Sequence, residues 1–281
     1  MDRRDEDFER LRWSIVGAGR VGKTLGLLAS RLQIPVESTW NRSEASATKA
    51  SAVIGPRRSC HGLLEEVAES IVQDADVIWL TVVDSSLTSA ARALAEVTRP
   101  DQIVLHTAGS LSSAVLSEAG VSSKVGSLHP LQAITDPYAA LEKLDQVAWT
   151  VEGDARAVGY ATWLMSKIGV TPVEIDSAKK TLYHASAVTS ANLLVALMDA
   201  AFAMAEGAGM SREEARAMMV PLARSSVENL ERQDADEALS GPAARGDQET
   251  IDRHIQALEA LGDEELVRIY EVLIERAKGL V

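Results

Sequence analysis

One cysteine, Cys60, stands in 281 residues. No internal disulfide can form, so stability has to come from burial. A chain of this length buries about three quarters of its unfolded surface and needs no covalent staples. A single cysteine is compatible with a reducing compartment, and the expectation is a cytoplasmic protein. Cys60 reads as a small, partly buried side chain rather than a nucleophile. Positive charge is also scarce: 28 Lys and Arg face 41 Asp and Glu, for a formal net charge of −13. That balance argues against nucleic acid and anionic membrane surfaces as partners. An anionic cofactor would have to be held by local donors rather than by the overall field. No repeat or low-complexity tract is present, and no metal is called for. The start, Met1-Asp2-Arg3-Arg4-Asp5-Glu6-Asp7, has no apolar core and is expected to be a solvated lead-in, not a signal peptide. Residues 185–205 lack Lys, Arg and Glu but contain Asn192 and Asp199. An Asp near the centre of a bilayer costs about 2.5–3.5 kcal/mol. The segment therefore reads as a buried helix of a soluble protein rather than a membrane span.

What is present is organised around Trp13-Ser14-Ile15-Val16-Gly17-Ala18-Gly19-Arg20-Val21-Gly22. A short apolar strand runs straight into Gly-x-Gly-x-x-Gly, and a helix-compatible segment to about Leu32 follows. Gly17 allows a tight turn, Gly19 lets a pyrophosphate approach the backbone, and Gly22 lets the new helix pack on the sheet. The helix N-terminus, with Arg20 and Val21, offers free N–H groups and a positive dipole end to phosphates. The strand at 36–40 ends at Asn41-Arg42-Ser43, where such a fold places the adenosine ribose. An acid there would repel a 2′-phosphate, and none is present. Arg42 can instead pair with a phosphate, and Ser43 can add a hydrogen bond. NADP is therefore expected over NAD. The competing reading makes Arg42 only a surface charge.

Further apolar runs at 75–83, 102–105, 125–128 and 147–151, with 171–175 as a last strand, alternate with helical segments. A possible strand at 53–55 belongs to the same pattern. It is that of an α/β protein with a doubly wound parallel Rossmann-type sheet. Asp84-Ser85-Ser86 is expected to cap the helix at 87–97. Ligands of such sheets bind beyond the carboxyl ends of the strands, which puts Gly17, Asn41, Val83, His106 and His129 on one edge. After Asp176 only helical patterns remain. The predicted domains are 1–176, binding the dinucleotide, and 177–281, an all-helical C-terminal domain for substrate and dimerisation. The first helix of the second domain, to about Glu206, is apolar on nearly all sides, so it should lie inside the structure or at a subunit interface. Ser211 and Glu214 form a capping box, Pro221 is expected to kink the helix that follows, and Asp247 caps another.

Five histidines are candidates for chemistry. His106 and His129 fall at predicted strand ends. Lys180, His184 and Asn192 are spaced i, i+4 and i+12, within about 120° on one side of an ideal helix. A reductase acting on a carbonyl or imine needs a donor to the developing negative atom, and His or Lys oriented by an amide suits that role. The competing readings are a structural histidine and solvated lysines. Gly241-Pro242-Ala243-Ala244-Arg245-Gly246-Asp247 places Arg245 before a capped helix. It reads either as an anion-binding arginine or as a stiff turn with an exposed one.

On Gly17–Gly22, Leu105-His106-Thr107-Ala108-Gly109, Leu128-His129-Pro130-Leu131-Gln132, Tyr183-His184-Ala185 with Asn192, and Gly241-Pro242 with Arg245-Gly246-Asp247 and His254, the chain resembles a known family. That family joins a Rossmann-like domain to domain of unknown function 2520. It belongs to the 6-phosphogluconate dehydrogenase-like superfamily and is often labelled deazaflavin-dependent NADP oxidoreductase-like. The resemblance spans roughly residues 11–275, with the family boundary near 150. It implies an NADP-dependent reductase or dehydrogenase that is a homodimer through its helical domain, and some members look like alternative ketopantoate reductases. The better-known ketopantoate and hydroxyacid reductases of the superfamily carry a helix Lys with an Asn four residues later, whereas the residue four after Lys180 is His184.

The resulting expectation is an NADP(H)-dependent oxidoreductase transferring a hydride between nicotinamide and a small carbonyl or imine substrate, such as the 2-oxo acid ketopantoate. His184 is the expected proton donor, with Asn192 and Lys180 orienting substrate and His129 or Arg245 holding a substrate anion. Gly17, Gly19, Arg20, Val21, Gly22, Asn41, Arg42, Ser43, Val83 and His106 are expected to hold the cofactor. The rival readings are a non-catalytic dinucleotide-binding sensor and a deazaflavin-dependent NADP reductase.

Overall fold

The computed structural model describes residues 8–132 and 134–281; most of the charged lead-in lies outside the described residues. Strands β1 (Trp13–Val16), β2 (Val36–Asn41), β3 (Arg58–His61), β4 (Val77–Leu80), β5 (Ile103–His106), β6 (Lys124–Pro130), β7 (Trp149–Gly153) and β8 (Val173–Glu174) form one sheet. Their order is β3-β2-β1-β4-β5-β6-β7-β8. Helices α1 (Arg20–Arg31), α2 (Glu44–Ile54), α3 (Leu64–Val72), α4 (Asp84–Ala95), α5 (Ala114–Glu118), α6 (Pro137–Leu141) and α7 (Ala155–Ser166) connect them.

The continuous apolar runs follow from burial on both faces. Trp13, Ile15, Val77, Trp79, Ile103 and Leu105 belong to one core cluster, with Tyr160 and Leu164 of α7. Val16, Ile78, Leu80 and Val104 belong to the other, with Ile71 of α3 and Leu87 and Leu94 of α4. Alternate residues of each strand thus feed opposite layers, the period-2 rule applied to a sheet covered twice.

Three local expectations are corrected. Val53 and Ile54 finish α2 rather than forming a strand, and Gly55 closes the helix at φ +66°. The strand comes later, at the sheet edge, where Arg58–His61 has no apolar run to signal it. Helix α4 starts at Asp84 itself with no side-chain cap, because the Asp84 carboxylate accepts a 2.6 Å bond from Ser110 Oγ instead. The sheet is not wholly parallel, since β7 runs antiparallel to β6 and pairs Ser127 with Glu152 and His129 with Thr150. A buried apolar strand reads the same in either direction, so its sequence does not reveal this reversal.

The chain divides into two compact units, 1–187 and 188–281. The division falls inside a helical stretch, Ser177–Gly207, rather than at residue 176. That stretch comprises a 3-10 turn at Ser177–Lys179, α8 (Lys180–Val188), a π turn at Thr189–Leu193 and α9 (Leu194–Gly207). Of the two places expected for it, inside the structure or at a subunit interface, burial within the chain is not found. Only 6% of its most apolar window is buried, and Leu182 and Val195 are 73% and 71% exposed. By length and composition alone it could cross a membrane.

In the second unit, α10 (Arg212–Asn229) opens with the expected Ser211–Glu214 capping box and continues past Pro221 as one element. Asp247 caps α12 (Gln248–Ala260) through Thr250, with α11 (Ala235–Ala238) before it and α13 (Glu264–Lys278) after it. The buried cluster of this unit is small: Phe202, Ala205 and Ala215, with Met198, Met210 and Met219 against them.

Inside the first unit, the Trp13 indole N–H donates to the Tyr160 hydroxyl, and both side chains are fully buried. Tyr160→Phe removes the acceptor and leaves the N–H unpaired, which costs about 1–3 kcal/mol. The expected result in urea unfolding is a lower midpoint at unchanged slope. An unchanged midpoint would show that the indole finds another acceptor.

Candidate functional site

The parallel strands β1, β2 and β4 deliver their carboxyl ends to a cavity of about 750 Å³, lined by the glycine turn, Asn41–Ser43, Gly62–Glu65 and Thr81–Val83. Gly17 sits at φ +91°, and a Cβ on it would lie 2.6 Å from Val82 Cγ1. A Cβ on Gly22 would lie 2.6 Å from Thr81 Oγ1, whose hydroxyl donates to the Gly17 carbonyl at 2.8 Å. Both positions require glycine, one for the turn and one for helix-on-sheet packing. Gly19 differs. The nearest atom to a Cβ there is 3.7 Å away, so its open face comes from the absent side chain alone. Helix α1 starts beyond it with no side-chain cap and no acid in its first turn. The N–H groups of Arg20, Val21 and Gly22 are therefore free of side-chain acceptors, as an anion site at a helix start requires.

At the end of β2, Asn41 is buried and its Oδ1 has no hydrogen-bond partner among the described residues. Arg42 is exposed beside it, and its carbonyl accepts from the Gly62 N–H at 3.2 Å, tying the β3–α3 loop to this edge. The Ser43 hydroxyl caps α2, accepting from Ser46 N–H and donating to Ser46 Oγ at 3.0 Å. Its proton is thus already engaged, and what Ser43 presents here is a capped helix start. Val83 is 68% exposed at the start of α4. Gly62, Leu63 and Thr81 escaped the sequence reading. Gly62 and Leu63 follow the edge strand that was itself missed, and only register reveals that they join this cavity.

The second cluster lies at the ends of β5 and β6. His129 Nδ1 is 3.2 Å from the Tyr183 hydroxyl, and the His129 and His184 rings stand 6.2 Å apart, edge to face. A Cβ on Gly109 would lie 2.6 Å from His184 Cδ2 and 2.7 Å from His129 Nε2. The two rings therefore converge over a residue that has to be glycine. Burial, then the Lys180 and His184 charges, push the His129 imidazole down to about 4.

Two expected site residues take other roles. His106 is completely buried, and its Nδ1 accepts the Ala108 N–H at 3.1 Å. Its Nε2 is buried with no hydrogen-bond partner among the described residues, and the ring braces the His106–Gly109 turn. Burial, then the Lys180 charge, push it down to about 3. Lys180 turns away from His184 into the sheet. Its ammonium donates to Ser127 Oγ and, at 3.0 Å, to Glu152 Oε1. Glu152 also accepts from Ser113 N–H at 2.9 Å and Ser113 Oγ at 2.7 Å. Lys180 and Glu152 are 1% and 2% exposed, so neither is a surface charge nor free to touch substrate. Burial pulls the Lys180 ammonium below its usual value, against the pull of Glu152.

Asn192 lies exposed in the π turn, which abandons the 3.6-residue period that aligned it with His184. Arg245 is exposed in the second unit, in a turn where Asp247 N–H donates to the Pro242 carbonyl at 2.9 Å. Arg245 makes no ion pair among the described residues that would occupy it structurally.

Comparison with known proteins divides the chain earlier, just before β7. Residues 2–130 match the model of a Rossmann-like domain, and residues 147–277 match domain of unknown function DUF2520. No curated protein sequence matches the chain. Protein TM1727 from Thermotoga maritima is similar at 22% identity and TM-score 0.75, over 95% of this chain and 97% of that one. Protein BF3122 from Bacteroides fragilis, a candidate NADP oxidoreductase, is similar at 20% and 0.74, over 97% and 99%. A Plasmodium falciparum pyrroline carboxylate reductase with NADP bound is similar at 14% and 0.58, over 97% and 98%. At these identities the likeness establishes the fold.

Two outcomes follow from the buried charges. The folded values of His106 and His129 lie below the ordinary 6.5, so the unfolded chain binds more protons as acid is added. The stability they confer is complete above pH 6.5 and is lost as pH falls toward 4. Urea unfolding at pH 7 and pH 5 should differ by about 2 kcal/mol per histidine. Separately, Lys180→Met strands Glu152 and should cost about 3–5 kcal/mol, much of it recovered when Glu152→Gln is added. Equal stability of the single and double variants would exclude the buried pair.

Proposed function

Since the chain belongs to the family that joins a Rossmann-like domain to a DUF2520 domain, we propose that it is an NADP(H)-dependent oxidoreductase acting on a small carbonyl or imine compound, a 2-oxo acid such as ketopantoate being the leading candidate. The observation that carries this reading is the cavity at the strand ends, with its orphaned acceptor and uncapped helix start. These features fit a dinucleotide phosphate. The open face at Gly19 and the N–H groups of Arg20, Val21 and Gly22 suit a pyrophosphate. Asn41 Oδ1 is a buried acceptor that a ribose hydroxyl would satisfy. Arg42 suits a 2′-phosphate through its planar fork, beside the capped start of α2. Val83 offers an apolar surface at the same edge. The NADP carried by the Plasmodium reductase supports the choice of cofactor.

NADPH, when bound, supplies a hydride. The chain has to place the acceptor carbon and manage the proton. His184, half-exposed beside His129, is assigned as proton donor to the heteroatom that gains negative charge. His129 stays neutral above about pH 4 and serves as a hydrogen-bond donor to the substrate rather than as an acid. Asn192 and Arg245 are assigned to the polar groups of the substrate, Arg245 to a carboxylate. Lys180, paired with Glu152, drops out of the substrate-orienting set and anchors α8 instead.

The chain is further proposed to act as a homodimer. The second unit leaves Leu222, Leu230 and Val272 exposed along with Val195. A second copy would cover such side chains. A lipid covering is disfavoured by Asp199, which sits on α9 paired with Arg212.

Cofactor preference tests the reading. NADPH should bind tighter than NADH, and Arg42→Ala should weaken NADPH by about 10- to 100-fold while leaving NADH unchanged, as loss of a charge-assisted bond worth about 1.5–3 kcal/mol requires. Titration of intrinsic tryptophan fluorescence or calorimetry would read this. Equal weakening of both cofactors would place the 2′-phosphate elsewhere.

A further inference from the structure

We infer that Tyr183 is a positioning residue: its hydroxyl donates to His129 Nδ1, locks the imidazole in one tautomer, and so presents Nε2–H as a fixed donor toward the point over Gly109 where the His184 ring also converges.

The pairing itself permits two arrangements, since either the phenol or the imidazole nitrogen could supply the proton. Chemistry separates them. A phenol is the stronger donor of the two, and a neutral imidazole nitrogen is a far better acceptor than a phenol oxygen. A neutral imidazole carries only one proton, so accepting at Nδ1 leaves it on Nε2. That condition holds because burial and the nearby ammonium keep His129 neutral. The ammonium is held in place by Ser127 and Glu152, on the strands that carry and flank His129. Lys180 and Tyr183 are separated by one turn of α8. The ion pair that anchors the start of that helix therefore also sets the height of the tyrosine above β6.

Geometry on the far side of the ring agrees. His129 Nε2 and His184 Cδ2 both come within 2.7 Å of the position of a Cβ on Gly109. The absent side chain at Gly109 lets the Nε2 edge of one histidine face the other. With the tautomer fixed, the pair offers one permanent donor, His129 Nε2–H, next to the half-exposed ring of His184. No proton leaves His129 in this scheme; it contributes a hydrogen bond only. The catalytic consequence rests on the oxidoreductase reading, whereas the tautomer does not.

The test is nitrogen NMR of ¹⁵N-histidine-labelled protein without cofactor or substrate, with the His129 signals assigned by their loss in His129→Gln. The wild type should show Nδ1 as an unprotonated, hydrogen-bonded nitrogen and Nε2 as protonated. In Tyr183→Phe the two shifts should move toward each other as the tautomers mix. In the same variant kcat/KM for NADPH-dependent reduction should fall by up to about tenfold, the worth of one hydrogen bond, with NADPH affinity unchanged. If Tyr183→Phe does not fold, 3-fluorotyrosine at position 183, a stronger donor, should shift Nδ1 further in the same direction. A wild-type spectrum with the proton on Nδ1, or shifts indifferent to these changes at residue 183, would overturn the inference. The expected spectra with no reduction of any oxo acid or imine would leave the tautomer standing and remove the oxidoreductase reading instead.

Discussion

The buried ion pair of Lys180 and Glu152 ties α8 to the sheet. Lys180 and Glu152 meet with almost no exposure, and both have further partners: Ser127 takes one bond from the ammonium, and Ser113 gives two to the carboxylate. Ser127 and Glu152 are direct cross-strand partners, so the antiparallel turn of β7 against β6 is what builds the receptor for the lysine. Burying two charges is costly, and attraction offsets that cost only when remaining hydrogen-bonding capacity is also met. Here both carboxylate oxygens and two of the three ammonium N–H bonds are engaged, and the start of α8 is pinned at the sheet edge. Tyr183 and His184 follow one turn later, against His129.

The edge at the glycine turn obeys a different constraint, the shared direction of β1, β2 and β4. Parallel strands bring their carboxyl ends to one side, where a turn, the Asn41–Ser43 loop and a helix start collect around a common cavity. Nothing in this edge depends on buried charge. It depends on backbone: a left-handed glycine at 17, an open one at 19 and a close-packed one at 22. With a negative overall charge on the chain, an anion at this edge would depend on such local donors rather than on a general positive field.

Legibility differs between the two edges for that reason. The glycine turn, β2 and Asn41–Ser43 were readable because a few adjacent residues carry the whole signal. The edge strand Arg58–His61 was not, having no apolar pattern, and Gly62 and Leu63 went with it. His106 and Lys180 were singled out as chemical residues, and both are buried. A residue type shows what a side chain could do, but its partner decides what it does. Asn192 was aligned with His184 on an ideal helix, and one π turn removes the basis for that alignment.

By itself, the sequence determined the alternating sheet, its coverage on both faces, the glycine turn and the helical second half. Each is written in short-range periodicity or in the conformational needs of single residues. Only the tertiary structure decided which ionisable groups meet. His129 and Tyr183 are 54 positions apart, Ser127 and Lys180 are 53, and Ser113 and Glu152 are 39. Contacts across such separations are set by strand order and direction, and a buried strand has the same apolar pattern whichever way it runs.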